Sequence, residues 1–354
     1  MKKTCPDAAL DGVDALQPRR KHARRERRLP GESYACSLEA KLWGGFSAWA
    51  TVGLEALLAD ERARADERGY AAWALAGWLA FLGMDWHRVA KLADQARAAA
   101  FPAHLGPVLL ESSSLQRERR FFEARRVLRL AISEQPNAVD LQLAYANTWL
   151  DGPDLRRLAW INRALSGRGL AALELKDSTR PLSLDNIVVS DLRQLDAGAK
   201  PKVSVIVPLF NTRATVTSAL DSVLRQTWEN IEVLVVDDCS SDGSFELARA
   251  IADRDERVVL LRHATNCGAY AARNTGLARA TGELVTAHDA DDWSHPQKLA
   301  LQVQALLEAP ACQASVSYGV RCSSLLVFSS WRPQATWVHC NASSLMFRRH
   351  LVDT

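Results

Sequence analysis

Three carboxylates stand in one four-residue window, Asp289-Ala290-Asp291-Asp292. They follow the run Leu284-Val285-Thr286-Ala287, whose length and apolar content predict a short buried strand ending at the acidic cluster. Carboxylates crowded at the mouth of a sheet repel one another and resist losing water unless a cation neutralises them. A hard divalent ion such as Mg²⁺ suits that position, because it takes one or two carboxylates and fills its other places with water and phosphate oxygens. An isolated D-x-D is more often a solvated acidic turn; the residues upstream argue for a site.

Those residues supply the elements that would position the cluster. From Lys202 the chain reads KVSVIVPLFN, and after about twenty residues IEVLVVDDCSSDGS. Val203–Val207 and Ile231–Val236 are β-branched runs that predict buried strands, ending at Pro208 and at Asp237-Asp238-Cys239-Ser240. Between them Val216, Ala219, Leu220, Val223 and Leu224 recur at helical spacing. Asp242 is the expected N-cap of a second helix over Phe245, Leu247, Ala248 and Ile251. A third strand, Val258–Leu261, leads through NCGAYAARNTGLARATGE to the strand before the acidic cluster. This alternation predicts an α/β domain with a mostly parallel sheet, in which ligands collect beyond the carboxyl ends of the strands. Phe210-Asn211, Asp237-Asp238 and Asp289–Asp291 all fall at such ends.

The four pieces SVIVPLFN, QTWENIEVLVVDDCSSDGS, NCGAYAARNTGLARATGE and HDADDW, in this order and at this spacing, resemble the nucleotide-sugar-binding half of a family-two glycosyltransferase. The resemblance implies a Rossmann-like GT-A fold over residues 202–354. It also implies transfer of a sugar from a nucleoside diphosphate to a glycan or lipid-linked acceptor, usually with inversion, using Mg²⁺ or Mn²⁺. It favours a UDP-sugar donor. Carried over by position, Pro208, Phe210 and Asn211 form the loop against the base, with Phe210 where the family often places a stacking Tyr. Asp238 matches the carboxylate that receives the ring N–H of the base, and Asp237 a structural partner that holds the turn. Asn266, Gly268, Arg273 and Asn274 match the segment near the nucleoside and diphosphate, where an Arg meets phosphate oxygens. Asp291 matches the metal ligand, and Asp289 the residue that faces ribose or the metal shell. Asp292, Trp293 and His295-Pro296 are then expected to open the next helix.

The general base of an inverting transfer is expected beyond Thr354, because CNASSLMFRRHLVDT resembles the family segment that precedes a Gly-rich turn and an acidic motif. Asp353, the one late carboxylate, is not assigned that role. The domain is therefore read as lacking its C-terminal part. The competing expectation is a helical-repeat interaction protein whose transferase-like domain binds nucleotide-sugar and transfers poorly.

Ahead of this domain, residues 38–170 are helix-rich and nearly free of strand signals, and predict an all-α region. Ala96, Ala131 and Ala164 stand in similar contexts 35 and 33 residues apart, a period that resembles the tetratricopeptide repeat, which implies a surface for a protein partner; the competing expectation is a generic helical bundle that only props up the following domain. Trp73, Trp78 and Trp86 are expected in its core. The apolar run Tyr70–Met84 is shorter than the ~20 residues a membrane span needs. Residues 171–201 have linker composition, with Pro, Ser, Asp and Gly around Ile187-Val188-Val189. Residues 1–37 read as a basic disordered arm; RRKHARRERR at 19–28 would attract an anionic membrane surface or nucleic acid, or simply solubilise.

The formal charge of +3 says little about partners. Seven cysteines without a C-x-x-C pair, and no signal-peptide core, predict a cytoplasmic, reducing setting without a disulfide framework or zinc ribbon. Cys239 and Cys267 are expected to be small buried thiols. None of the eight histidines shows metal-ligand spacing, and His288 is expected only to fill the end of its strand.

Overall fold

The computed structural model describes residues 33–99, 104–189, 201–330 and 336–352. Most of the basic arm, positions 190–200 of the linker stretch and Asp353 lie outside the described residues. The described chain falls into two compact units, one from 33–169 with 320–339 and one from 170–319 with 340–352.

The first unit is helical: α1 (Tyr34–Trp43), α2 (Ser47–Ala59), α3 (Ala65–Leu82), α4 (Trp86–Ala98), α5 (Gly106–Arg117), α6 (Phe121–Glu134), α7 (Val139–Asn147) and α8 (Asp154–Ser166). The 35- and 33-residue spacing places Ala96, Ala131 and Ala164 on α4, α6 and α8, and all three are buried. Asp85 caps α4 by accepting the Arg88 N–H at 3.0 Å. Trp73 sits in the core, and Trp78 and Trp86 pack against it half-buried. No helix among the described residues is long and apolar enough to cross a membrane.

The second unit opens with a small antiparallel pair, β1 (Glu174–Leu175) and β2 (Ile187–Val188), inside the stretch read as linker. It continues as β3 (Val203–Leu209), α9 (Val216–Leu224), β4 (Ile231–Asp237), α10 (Ser244–Ala252), β5 (Val258–Arg262), α11 (Ala269–Arg279), β6 (Leu284–Ala287) and α12 (Lys298–Glu308). In chain order β7 (Ala314–Cys322), β8 (Phe328–Ser329) and β9 (Val338–Arg348) follow, with β8 and the ends of β7 and β9 that fall within 320–339 grouped with the helical unit. Within the helical unit, the segment carrying β8 is fixed by Asn147, which donates to Phe328 O at 2.7 Å and accepts the Phe328 N–H at 3.0 Å.

The strands order as β5-β4-β3-β6-β9, the first four parallel and β9 antiparallel to β6. This is the expected α/β sheet with an antiparallel addition. Side-chain alternation sorts the helices onto its faces. Val203, Val205, Val207 and Leu209 join α9, α10 and α12 residues in one core, whereas Ile206, Leu234 and Val285 meet Leu277 of α11 and Ala280 just after it on the other side. α11 lies so close that a Cβ on Gly276 would stand 2.5 Å from Ile206 Cγ2.

At the amino ends of the strands Glu232 anchors a separate polar knot. Its carboxylate meets Lys202 Nζ at 2.7 Å, Ser204 Oγ at 2.5 Å and the Thr281 N–H at 2.7 Å. Burial alone would raise this carboxyl, but the Lys202 ammonium and the hydroxyl and N–H donors outweigh it and hold it at about 2.

Candidate functional site

Parallel pairing brings the carboxyl ends of β4, β3 and β6 side by side, with Leu209 opposite Asp237 and Ile206 opposite Ala287. Both loops leaving β3 and β4 turn through left-handed backbone, at Asn211 (φ 50°) and Cys239 (φ 64°). Such conformations persist where the surroundings hold them. Here the loops bind each other: Asn211 N–H donates to Ser240 Oγ at 3.1 Å, and Ser241 N–H donates to Asn211 Oδ1 at 3.0 Å. Asp237 is fully buried, paired with Arg262 Nε at 3.0 Å and receiving the Ser240 N–H. The α10 N-terminus differs in detail from expectation. Gly243 occupies the cap position, and Asp242 reaches past it to accept the Ser244 N–H at 2.9 Å.

Asp238 is the hub. It is 2 % exposed; its Oδ1 accepts the Cys267 N–H at 2.8 Å, its Oδ2 accepts the Gly268 N–H at 2.7 Å, and His263 Nδ1 lies 2.7 Å from Oδ1. Burial pushes this carboxyl up, but the Cys267 N–H, His263 and the Gly268 N–H together hold it below the ordinary aspartate value. Gly268 presents its N–H at φ +89°, a conformation L side chains rarely adopt. It is also the residue from which α11 starts, so the positive end of that helix faces Asp238.

The same helix reaches the acidic cluster. Arg273, five residues after Gly268, pairs with Asp289 Oδ1 at 2.6 Å and lies over the ring of Tyr270 at 5.4 Å. At 1.5 Å rise per residue, the backbones of Gly268 and Arg273 are roughly 7.5 Å apart along the axis of α11. Asp238 and the acidic cluster therefore border one region. Thr215 Oγ1 closes the other side by donating to Ala290 O at 2.9 Å.

Within the cluster Asp289 is spent on Arg273, whereas the Asp291 side chain is exposed and no described residue bonds its carboxylate. The surrounding protein, then the charges of Asp289 and Asp291, push Asp292 up to about 6. Burial draws Lys298 down to about 8, against the pull of Asp292 and Asp289. A set of three carboxylates in four residues, with Asp291 and Asp292 both open to solvent, fits a hard divalent cation. The helix after this cluster starts at Lys298 rather than at Asp292-Trp293. Pro296 and Gln297 form a turn closed by Lys298 N–H donating to His295 O, and Gln226 and Thr227 also donate to His295 O and Pro296 O, so the segment is pinned before it can coil.

Phe210 is 46 % exposed beside Asn211; Asn266, ahead of α11, and Asn274, midway along it, are also exposed. Pro208 lies inside β3, one position before its end. Cys267 is exposed and not a buried thiol; its backbone N–H donates to Asp238 and its Sγ donates to Thr265 O at 3.3 Å. His263 went unnoticed in the sequence. Asp237 and Arg262 are paired in register, so the residues that follow them, Asp238 and His263, become neighbours. Ligand atoms of Asp238, His263 and Cys267 all lie within 4.8 Å of one another. The signal available beforehand was a polar residue directly after a predicted strand. His288 is buried as expected, near 3 because burial excludes its charge; Nδ1 lies 3.2 Å from Ser294 Oγ.

Residues 204–345 match the family model described as Glycosyl transferase family 2. Among curated proteins, the chain is 39% identical over 108 residues to an uncharacterized glycosyltransferase of Haemophilus influenzae, covering 30% of this chain and 43% of that protein. It is 36% identical over 121 residues to the putative teichuronic acid biosynthesis glycosyltransferase TuaG of Bacillus subtilis, covering 34% and 48%. The chain thus spans less than half the length of these relatives. Among solved structures, the mannosyltransferase PcManGT of Pyrobaculum calidifontis in complex with GDP-Man and Mn²⁺ is 27% identical, with a TM-score of 0.33 over 44% of this chain and 46% of that one.

Proposed function

We propose that the α/β unit is the donor-binding part of a metal-dependent, inverting glycosyltransferase that moves a sugar from a nucleoside diphosphate to a glycan or lipid-linked acceptor. The observation that carries this reading is the span of α11, which bonds Asp238 through Gly268 and Asp289 through Arg273. In this reading Phe210 stacks on the base, with Pro208 and Asn211 shaping the loop. Asp238 receives the ring N–H of the base on a lone pair its present partners leave open. Asn266 and Asn274 line the nucleoside and diphosphate, and Arg273 exchanges Asp289 for phosphate oxygens.

Asp291, with Asp289, would hold Mg²⁺ or Mn²⁺. That ion supplies electrostatic stabilisation of the diphosphate as negative charge develops on it. The protein's own part is to fix the donor between two loops and to bring Arg273 and Lys298 to bear on the same charge. A UDP-sugar is the favoured donor on the strength of the family resemblance, and the ring N–H of uracil is of the kind Asp238 accepts.

The pairs α3/α4, α5/α6 and α7/α8 follow the 35- and 33-residue spacing, which supports a tetratricopeptide-like reading and a protein partner for the helical unit. The basic run at 19–28 would add peripheral contact with an anionic membrane face. A screen of UDP-sugars for metal-dependent release of UDP tests the donor assignment. Release from at least one sugar is expected; failure to bind any nucleoside diphosphate in the presence of Mn²⁺ would overturn it.

A further inference from the structure

The three side chains around Asp238 differ in kind from the all-oxygen acidic cluster. Asp238 offers a carboxylate oxygen, His263 Nδ1 and Cys267 Sγ, all within 4.8 Å of one another. A tetrahedral ion with bonds of 2.0–2.3 Å needs ligand atoms about 3.3–3.8 Å apart, so small side-chain movements close the set. His263 already has the support expected of a ligating imidazole, since its Nε2 lies 2.9 Å from Thr275 Oγ1 and the ring is thereby oriented. Asp238 is held by two backbone N–H groups, and Cys267 opens to solvent, giving an entry path. Nitrogen, oxygen and sulfur together select a borderline-soft ion over Mg²⁺.

We propose that Asp238, His263 and Cys267 form a second cation site, for an ion of the Zn²⁺ class, whose occupation blocks the base-binding face of Asp238. On binding, the Cys267 thiol proton passes to solvent and the sulfur bonds the metal as thiolate. His263 binds as the neutral tautomer protonated at Nε2, donating to Thr275 Oγ1, and its Nδ1 lone pair turns from Asp238 to the ion. Water completes the shell. The antagonism toward nucleotide, though not the metal site itself, rests on the donor reading given above.

Co²⁺ added to the 354-residue chain reports thiolate ligation by a sulfur-to-cobalt charge-transfer band. The wild type is expected to develop that band at one equivalent and to lose it when Zn²⁺ is added. Cys267→Ser should abolish it, His263→Gln should weaken Co²⁺ and Zn²⁺ binding by about tenfold or more, and Cys239→Ser should leave the band in place. No band in the wild type, or a band that survives Cys267→Ser, overturns the site. In parallel, UDP with Mn²⁺ is titrated with and without one equivalent of Zn²⁺. Weakening by Zn²⁺ in the wild type but not in Cys267→Ser supports antagonism; equal affinities with the cobalt band present overturn it. Absence of UDP binding in the zinc-free wild type refutes the donor reading instead, and the cobalt spectra still decide the metal site.

Discussion

Replacing Asp238 by Asn is the sharpest test of the hub, because it keeps the shape and removes the charge. The carboxylate accepts two backbone N–H groups at 2.7 and 2.8 Å in a site only 2 % exposed. An amide in its place offers one oxygen and one NH₂, so one of those N–H groups must face another donor. Leaving a buried N–H unsatisfied costs about 1–3 kcal/mol, and turning the surviving bond from charge-assisted to neutral costs about 1 kcal/mol more. The expected local loss is therefore about 2–4 kcal/mol. Hydrogen exchange at the Cys267 and Gly268 amides reads it directly. At a factor of ten per 1.36 kcal/mol, those two amides should exchange roughly thirty to a thousand times faster in the variant. Amides in β3 and β4 should change far less. Unaltered protection at both positions would refute the claim that Asp238 holds the start of α11.

Three further outcomes follow from the same geometry. Glu232→Gln should destabilise the α/β unit without altering nucleotide affinity, since its knot lies at the opposite strand ends. A folded value of about 2 against an ordinary glutamate value of 4.5 corresponds to about 3 kcal/mol. That contribution is present above pH ~4.5 and is lost as pH falls through about 2, so an acid-unfolding scan should shift in wild type and flatten in the variant. Gly276→Ala should cost about 1–3 kcal/mol by thermal denaturation, because the new methyl meets Ile206 at 2.5 Å; Ile206→Ala in the same chain should recover part of it. Mn²⁺ binding should release a proton from Asp292 near its value of about 6. Calorimetric titrations at pH 6 in buffers of different ionisation enthalpy measure that release, and buffer-independent heats would count against it.

The sheet was legible because its strands are dense β-branched runs, Val203–Val207 and Ile231–Val236, each closing on a polar turn. The site residues were legible as polar breaks after those runs. What escaped was pairing across the fold. That Asp238 meets His263 depends on the β4–β5 register, and that Arg273 meets Asp289 depends on how tightly Gly276 lets α11 press on β3. Neither is local in sequence. The start of α12 was misjudged for a similar reason: Gln226 and Thr227, roughly seventy residues upstream, take the carbonyls that a helix from Asp292 would have used. Likewise, residues 320–339 group with the helices through Asn147 and Asp140, partners 181 and 198 positions away.

The central claim is that Asp238 and Asp291 act on one nucleotide, from two loops bridged by α11. Calorimetric titration of UDP into the 354-residue chain, with and without Mn²⁺, and into Asp291→Ala, tests it most directly. The account predicts binding that strengthens with Mn²⁺ in wild type and loses that metal dependence in Asp291→Ala, with the thermal unfolding of the variant unchanged. UDP binding that is equally strong without metal, or unaltered by the substitution, would contradict it.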